Sequence, residues 1–259
     1  MVIKNIASGS SGNVTFAGTE TTRVLIDAGI SKKRIVQGLG EEGLDLTDID
    51  AILVTHEHID HTKGLTTISK KFGVPIYATS KTWTAMDCLD IAIGCREFFN
   101  PNEELKIGDL KIFPFSIPHD AVDPCAFSII GEDKKITIAT DMGHITEEAL
   151  HQMEESSLLL LEANYDKDTL NCGPYPYFLK KRIGGQLGHL SNDDASKAIS
   201  YLCKKGVNNF VLGHLSKENN FPELAYQTVL NDLMQNNIDV EKYKLSVASR
   251  DRVDSVINL

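Results

Sequence analysis

The stretch "DAILVTHEHIDHTKGL", residues 50–65, decides the fold and the chemistry of this chain. An apolar run ends in His56, Glu57, His58, Asp60 and His61. Side chains two positions apart in an extended turn point to the same side, so His56 and His58 are expected to converge on one ion. Asp60 and His61, where the chain bends, then face a second ion. Imidazole and carboxylate ligands suit zinc, and also manganese or iron.

The alternative, non-functional interpretation of this stretch is a polar surface turn that happens to be rich in histidine. It is weak, because three of the chain's eight histidines lie here, directly after the strand-like run "AILVT". We therefore take the stretch as part of a centre for two divalent metal ions, with Zn or Mn expected and Fe as a third option.

The composition is that of an ordinary globular protein, with 42% hydrophobic and 24% charged residues among 259. No repeat, low-complexity segment or long linker divides it, so one domain over residues 1–259 is predicted. No secretory signal and no membrane span of about 18 apolar residues is expected. The five cysteines are scattered and form no CxxC pair, which favours a reducing cytoplasm.

The formal net charge of −10 is awkward for a protein that binds nucleic acid, because phosphate contacts need local Lys and Arg. It mildly favours a small substrate. Bound divalent metals and a locally basic entrance would both offset it.

Short apolar runs with turn signals between them predict nine strands. They cover residues 22–29, 51–56, 74–79, 110–119, 125–132, 135–143, 158–165, 209–216 and 244–251. Helical patterns cover Ser31–Glu41, Leu65–Phe72, Thr82–Leu89, Thr146–Glu155, Asn192–Lys204 and Pro222–Asn236, with Asn192 as an N-cap. This mixture predicts a layered α/β protein.

Residues able to bind metal or move protons follow several of these strands, namely Asp27, His56, His119, Asp141 and His214. Each alone has a structural explanation, since a strand-end Asp is often a turn former and a lone His is often a satisfied structural residue. Together they indicate a site assembled from strand ends on a rigid sheet.

The run H-x-H-x-D-H resembles the signature of the metallo-β-lactamase fold superfamily, and the other strand-end residues occur in the order of that family's ligands. The resemblance implies a four-layer αββα sandwich. It implies His56, His58 and His119 on one metal ion, Asp60, His61 and His214 on the other, and Asp141 between them. Asp27 is implied to fix the turn and support the ligands, while Glu57 is expected to point away.

A second group of residues surrounds "GQLGHLSN", residues 185–192, which follows the densest basic cluster of the chain, Lys180, Lys181 and Arg182. A Gly-flanked histidine before a helix suits phosphate binding, with His189 as general acid for the leaving oxygen. The alternative is a helix-capping loop beside a solvated basic face.

The segment "ASGSSGN", residues 7–13, is either a plain turn or an anion-binding loop. With "THEHIDH", "ATDMG", "EAN" and "GHLSN", it resembles the YycJ/WalJ-like subfamily, regarded as DNA nucleases or exonucleases. This resemblance implies DNA as partner, and substrate contacts from Ser10, Ser11, Asn13, Asn164, Ser191 and Asn192. Tyr165 departs from the subfamily, which has a histidine there; a tyrosine donates a hydrogen bond but does not titrate near neutrality.

"CGPYPYFL", residues 172–179, places Tyr175, Tyr177 and Phe178 near the basic cluster. Such aromatics stack on splayed bases in some proteins. Packing in the core beneath a loop is the simpler expectation.

Three functions compete. The first is a metal-dependent phosphodiesterase on DNA, exonuclease-like, in which a metal-bridging hydroxide oriented by Asp60 attacks phosphorus. The second is a hydrolase of small esters, thioesters, lactones or cyclic nucleotides on the same metal core. The third, a redox module, is disfavoured because diiron flavoprotein relatives carry an acid where this chain has His58.

Overall fold

Residues 1–259 are described by a computed structural model in which the backbone divides into two units. The first unit comprises Met1–Ser116, Ala121–Lys134 and Ser249–Leu259, and the second comprises Ile117–Asp120 and Lys135–Ala248. The prediction of one domain over residues 1–259 stays a prediction.

A seven-stranded mixed sheet forms the frame of the first unit. Its strands, in chain order, are β1 (Val2–Ala7), β2 (Val14–Gly18), β3 (Arg23–Ile26), β4 (Ala51–Leu53), β5 (Ile76–Ala78), β6 (Arg96–Phe98) and β14 (Ile257–Asn258). The order across the sheet is β14-β1-β2-β3-β4-β5-β6. The strands from β3 to β6 are parallel, so the segments after β3 and β4 leave from the same edge. Asp27 follows β3 and His56 lies shortly after β4, so this parallel register places the two residues at the same edge of the sheet.

Four helices and an antiparallel meander complete the first unit. The helices are α1 (Lys32–Gly40), α2 (Ile59–Thr62), α3 (Leu65–Phe72) and α4 (Ser80–Ala85), and the meander strands are β7 (Leu105–Ile107), β8 (Leu110–Ser116) and β9 (Cys125–Gly131). Ile35 and Leu39 of α1 and Leu65 and Ile68 of α3 are buried in one apolar cluster with the sheet. Burial of such side chains contributes about 1.5–3 kcal/mol each.

The second unit is built on four parallel strands, β10 (Lys134–Ala139), β11 (Leu158–Glu162), β12 (Asn209–Gly213) and β13 (Lys244–Val247). Its helices are α5 (Glu147–Met153), α6 (Lys167–Cys172), α7 (Tyr177–Ile183), α8 (Asn192–Leu202) and α9 (Pro222–Gln235). Every residue of β11 is buried, as expected for an inner strand of a parallel sheet covered on both faces.

Helices α8 and α9 pack against each other through apolar residues at helical spacing. Ala195, Ile199 and Leu202 form the buried stripe of α8, and Ala225, Val229 and Leu233 form that of α9. Helix α7 differs from both, because none of its residues is buried.

Most predicted helices agree with the structure within two residues, and two details are corrected. The N-cap of α8 is Ser191, not Asn192, since the Ser191 hydroxyl accepts the Asp194 N–H at 3.2 Å. Helix α4 runs from Ser80 to Ala85 rather than from Thr82 to Leu89, and it starts earlier because the Thr79 hydroxyl accepts the Thr82 N–H.

Five strands were not predicted: β1, β2, β6, β7 and β14. In β1 the apolar pattern is interrupted by Lys4 and Asn5, which are buried because each has partners from distant segments. The Lys4 ammonium donates to Glu42 at 2.6 Å, and the Asn5 amide donates to Asp254 at 2.8 Å. Such long-range pairing leaves no local signal. Across the whole chain, no helix has the length and apolar content needed to span a membrane.

Candidate active site

The H-x-H-x-D-H residues form one cluster in the first unit. The Nε2 atom of His56 lies 3.0 Å from Nδ1 of His58, and the rings of His56 and His61 have centroids 4.1 Å apart. Nε2 of His61 lies 3.6 Å from a carboxylate oxygen of Asp60. Asp60 and His61 lie in the short helix α2, whose single turn brings them back toward His56.

Asp27 holds His61 in place through a hydrogen bond to its ring. Its Oδ2 atom lies 2.7 Å from Nδ1 of His61, and the backbone and hydroxyl of Thr55 each donate to the same carboxylate at 2.9 Å. A carboxylate that accepts the Nδ1–H of a histidine fixes the tautomer whose Nε2 lone pair binds metal. Asp27 adopts the left-handed conformation, with φ of 61°, which turns its side chain back under the histidine.

Two neighbours shape this turn. Glu57 is bound to a backbone group, since its Oε1 accepts the N–H of Val122 at 3.0 Å. Gly29 touches the backbone of the turn, since a Cβ there would lie 1.6 Å from the carbonyl oxygen of Asp60. Only a glycine permits this approach.

The second unit carries its own set of donors at the ends of parallel strands. Asp141, Glu162, His189 and His214 each offer a ligand atom within 4.8 Å of the others. Nε2 of His214 lies 3.3 Å from Oδ1 of Asp141, and Nε2 of His119 lies 3.9 Å from the same oxygen. Asp141 and His214 have φ of 62° and 55°, an uncommon conformation that concentrates at functional sites.

Glu162 is a further candidate site residue, and the sequence did not point to it. It ends β11, is 0% exposed, and its Oε1 lies 2.8 Å from Nδ1 of His189. Its Oε2 accepts the backbone N–H groups of Met142 at 2.8 Å and Leu190 at 3.1 Å. The available signal was the same as for Asp141, a charged residue directly after an apolar run, here "LLLLE".

The pKa values of His189 and His119 are shifted in opposite directions. Burial alone would lower the pKa of His189, but the Glu162 and Asp141 carboxylates raise it to about 9. For His119, burial lowers the pKa and outweighs the opposing effect of Asp141. His189 is therefore suited to carry a proton, and His119 to remain neutral as a metal ligand requires.

The loop of residues 184–189 positions both histidines. The carbonyl of Gly188 accepts from Nδ1 of His119 at 3.0 Å, and the N–H of His189 donates to the Ile183 carbonyl at 2.8 Å. A Cβ on Gly188 would lie 2.1 Å from that Ile183 oxygen. The close approach requires glycine and fixes the direction of His189.

The predicted basic residues lie on α7, in three different settings. Lys180 donates to the Asn171 carbonyl at 2.7 Å, and the Lys181 ammonium lies 4.9 Å from the centre of the Tyr177 ring. Arg182 pairs with Asp120 at 2.5 Å. Lys180 and Lys181 therefore have no carboxylate partner, and Arg182 has one.

The other predicted substrate residues divide by exposure. Ser10 and Ser11 are exposed, and Ser11 donates to Asp251 at 3.4 Å. Asn13 is buried, with Nδ2 3.0 Å from Nε2 of His61. Ser191, Asn192 and Asn164 are buried, and their hydrogen bonds run to the residues Asp194, Asn220 and His214. Direct substrate contact by these residues stays a prediction.

Tyr165, which stands where the subfamily has a histidine, is 6% exposed. Burial raises its pKa to about 12, and nearby Asp194 and Glu162 act in the same direction. It therefore keeps its hydroxyl proton at neutral pH.

Known proteins are similar to this chain over most of its length. The model of the β-lactamase superfamily domain matches residues 22–214. The chain is 38% identical to the exodeoxyribonuclease WalJ of Streptococcus pneumoniae over 91% of this chain and 89% of that protein. It is 33% identical to the exodeoxyribonuclease YycJ of Bacillus anthracis, over 91% and 90% of the two chains. The metallo-β-lactamase fold protein YhfI of Bacillus subtilis superposes with a TM-score of 0.72 at 15% identity, over 98% of each chain.

The chain belongs to the β-lactamase superfamily and, within it, to the YycJ/WalJ-like subfamily. The predicted four-layer αββα fold is confirmed by the structural likeness, and the predicted subfamily is confirmed by the two sequence relatives.

The side chains of the site fit divalent metal ions. Both units offer imidazole nitrogens and carboxylate oxygens, the donors that zinc, manganese and iron accept. In the second unit four such donors already lie within 4.8 Å of one another. Carboxylates that hydrogen-bond to the far nitrogen of a histidine, as Asp27 does, are the usual support for metal ligands.

Proposed function

We propose that this chain is a metal-dependent exodeoxyribonuclease that hydrolyses phosphodiester bonds of DNA. The observation that carries the proposal is the buried Glu162 paired with His189 at 2.8 Å, beside the metal-binding donors Asp141 and His214. This arrangement supplies a proton donor next to a metal centre. The DNA substrate is inferred from the relatives in S. pneumoniae and B. anthracis, both of which are named as exodeoxyribonucleases.

For the metal ions we propose the ligand set implied by the sequence, with two ions that are zinc or manganese, or alternatively iron. His56, His58 and His119 would hold one ion, Asp60, His61 and His214 would hold the other, and Asp141 would be a ligand common to both. Divalent ions at such a site activate water and neutralise the phosphate oxygens.

The protein's own residues complete the reaction. Asp60 orients the attacking water, which releases a proton to solvent as its oxygen bonds to phosphorus and the bond to the leaving oxygen breaks. Nε2 of His189 protonates that leaving oxygen, while its Nδ1–H remains on Oε1 of Glu162. General-acid catalysis of this kind contributes about 10²–10⁴-fold.

Glu162 has a positioning role in this proposal. Its second oxygen is held by the N–H groups of Met142 and Leu190, so the carboxylate cannot rotate away from His189. Lys180, Lys181 and Arg182, with Ser10, Ser11, Asn13, Asn164, Ser191 and Asn192, remain the candidate contacts to the DNA. The cytoplasm is proposed as the place of action, since the five cysteines are free thiols.

A substrate panel tests the proposal. Purified protein is loaded with Mn²⁺ or Zn²⁺ and given single-stranded DNA, duplex DNA, RNA, a p-nitrophenyl phosphodiester and a glutathione thioester. We expect stepwise release of nucleotides from DNA, lost in Asp141→Asn together with bound metal, as measured by elemental analysis.

The His189→Ala variant separates metal binding from proton transfer. It is expected to retain its metal and to lose about 10²-fold or more in turnover. Hydrolysis of only the thioester or only the chromogenic diester would overturn the DNA proposal, and normal turnover in His189→Ala would remove His189 from the mechanism.

A further inference from the structure

Helix α7 exposes two adjacent aromatic side chains. Tyr177 is 71% exposed and Phe178 is 74% exposed, and no residue of α7 is buried. The expectation that these rings pack in the core beneath a loop was therefore wrong. Covering large exposed apolar rings with a ligand or partner is favourable, because it removes apolar surface from water.

A cavity of about 530 Å³ lies along α7, and we name it the lysine cleft. Lys167, Lys180, Lys181, Tyr165 and Tyr177 line it, and no carboxylate is among its lining residues. This is unusual in a chain of net charge −10. Lys167 is paired with Asp193 at 3.5 Å and with Asp194 at 3.2 Å, whereas Lys180 and Lys181 have no carboxylate partner. Two unpaired ammonium groups beside an open cleft favour a ligand with repeated negative charge.

The lysine cleft shares lining residues with a neighbouring cavity. Tyr165 and Gly184 line it and also line a second cavity of about 620 Å³, which includes His144 and Gln186. Gly184 directly follows α7, and five residues later the N–H of His189 donates to the last carbonyl of that helix at 2.8 Å. A chain-like ligand in the cleft would thus lie beside the loop that holds His189.

We propose that the lysine cleft and the aromatic pair Tyr177–Phe178 bind single-stranded DNA, with the lysines on phosphates and the rings stacked on bases. This inference rests on the proposed nuclease function, whose substrate it narrows. Bases in a duplex are stacked on one another and offer no open face to a ring, whereas the bases of a single strand do.

Binding is measured with the full-length protein in EDTA, so that cleavage does not intervene. The probe is a fluorescein-labelled oligothymidine of about 16 nucleotides, the upper site size of common single-strand binding modules. Anisotropy gives Kd, and the same length of duplex DNA serves as the second ligand.

Two double variants test the two parts of the site. Tyr177→Ala with Phe178→Ala is expected to raise Kd for the single strand about tenfold or more and to change Kd for the duplex less than twofold. Lys180→Ala with Lys181→Ala should reduce the slope of log K against log[salt] by about 1.4, which is 0.7 for each phosphate contact.

Matched controls lie in the first unit. Phe98→Ala removes a ring that is 58% exposed, and Lys106→Ala with Lys111→Ala removes two exposed lysines that pair across β7 and β8. Both controls are expected to bind the single strand like wild type. Tyr177→Phe with Phe178→Tyr keeps both rings and should restore binding, which separates stacking from a loss of folding.

The inference is overturned if wild type fails to bind the single strand, or if the aromatic double variant binds it normally. It is also overturned if the aromatic double variant loses as much affinity for duplex DNA as for the single strand, or if the control variants lose as much affinity for the single strand. Displacement of the bound single strand by polyglutamate as readily as by unlabelled single-stranded DNA would overturn it too. Failure of wild type to cleave any DNA with metal present would instead defeat the proposed function, because the binding experiment does not depend on cleavage.

Discussion

Nδ1 of His189 lies 2.8 Å from Oε1 of Glu162, and the two residues come from a loop and a strand that are separated by 26 residues in the sequence. The carboxylate is 0% exposed and is itself held by two backbone N–H groups. A buried carboxylate in a fixed orientation determines both the direction and the charge of the imidazole, so in the proposed mechanism this pair governs the proton-transfer step.

Glu162→Gln tests this control. A glutamine can still accept the Nδ1–H, but it no longer stabilises the imidazolium, so turnover on DNA should fall about 10–10²-fold, less than for His189→Ala. Steady-state kinetics at saturating metal measure the change. Glu104→Gln, an exposed position, is the control and should be neutral. Unchanged turnover in Glu162→Gln would show that the pair has no part in catalysis.

The charge on His189 also makes the metal-free protein sensitive to alkaline pH. Its pKa is raised from 6.5 to about 9 in the folded state. Its contribution to stability is therefore fully present below pH 6.5 and is lost as the pH rises through about 9.

In EDTA, the difference in melting temperature between wild type and His189→Gln should decrease as the pH rises from 6.5 to about 9. About 1 kcal/mol corresponds to about 2–4 °C for a domain of this size. His151→Gln, whose side chain is 80% exposed, is the control. A difference that grows with rising pH contradicts the assignment.

Gly188 is expected to tolerate no side chain. A Cβ there would lie 2.1 Å from the Ile183 carbonyl and 2.2 Å from that of Arg182, both of them backbone atoms. Gly188→Ala should lower the free energy of unfolding by about 1–3 kcal/mol and turnover at least tenfold, since His119 and His189 both depend on this loop. Denaturant melts and kinetics measure both effects. Gly94→Ala, where nothing lies within 4 Å, should be close to neutral, and equal behaviour of the two variants would contradict the argument.

Asp27→Asn should weaken metal binding without removing a ligand. Oδ1 of Asp27 accepts the Thr55 N–H, and Oδ2 accepts both the Thr55 hydroxyl and the His61 Nδ1–H. Whichever oxygen the amide nitrogen replaces, it would face a donor and lose at least one of these hydrogen bonds. Loss of such support usually costs about 10–100-fold in metal affinity. Competition with a chromophoric chelator measures the affinity. Asp133→Asn, exposed and with φ of 58°, is the matched control, and wild-type affinity in Asp27→Asn would refute the supporting role.

Two of the five thiols should react quickly with a thiol reagent in the native protein, and the other three should be protected by burial. Cys88 and Cys172 are exposed, while Cys95, Cys125 and Cys203 are buried. Burial raises the pKa of Cys125 to about 12 and that of Cys203 to about 11, so little thiolate forms at pH 8. An aromatic disulfide reagent should titrate two thiols quickly in the native protein and five in denaturant. Rapid reaction of a third native thiol would contradict this burial.

The sequence by itself determined the residue types of the metal centre and the class of fold. His56, His58, Asp60 and His61 are neighbours in the chain, so their grouping needs only local geometry. The buried strand "LLLLE" and the other apolar runs likewise report parallel inner strands, because a strand covered on both faces must be apolar at every position.

The tertiary structure decided what depends on residues far apart in the chain. The pairing of Glu162 with His189, the burial of Asn164 and Asn192, and the exposure of Tyr177 and Phe178 carry no local signature. Whether a ring packs in a core or faces solvent is set by which segments fold over it. That is a property of strand order and helix packing, which composition and periodicity do not encode.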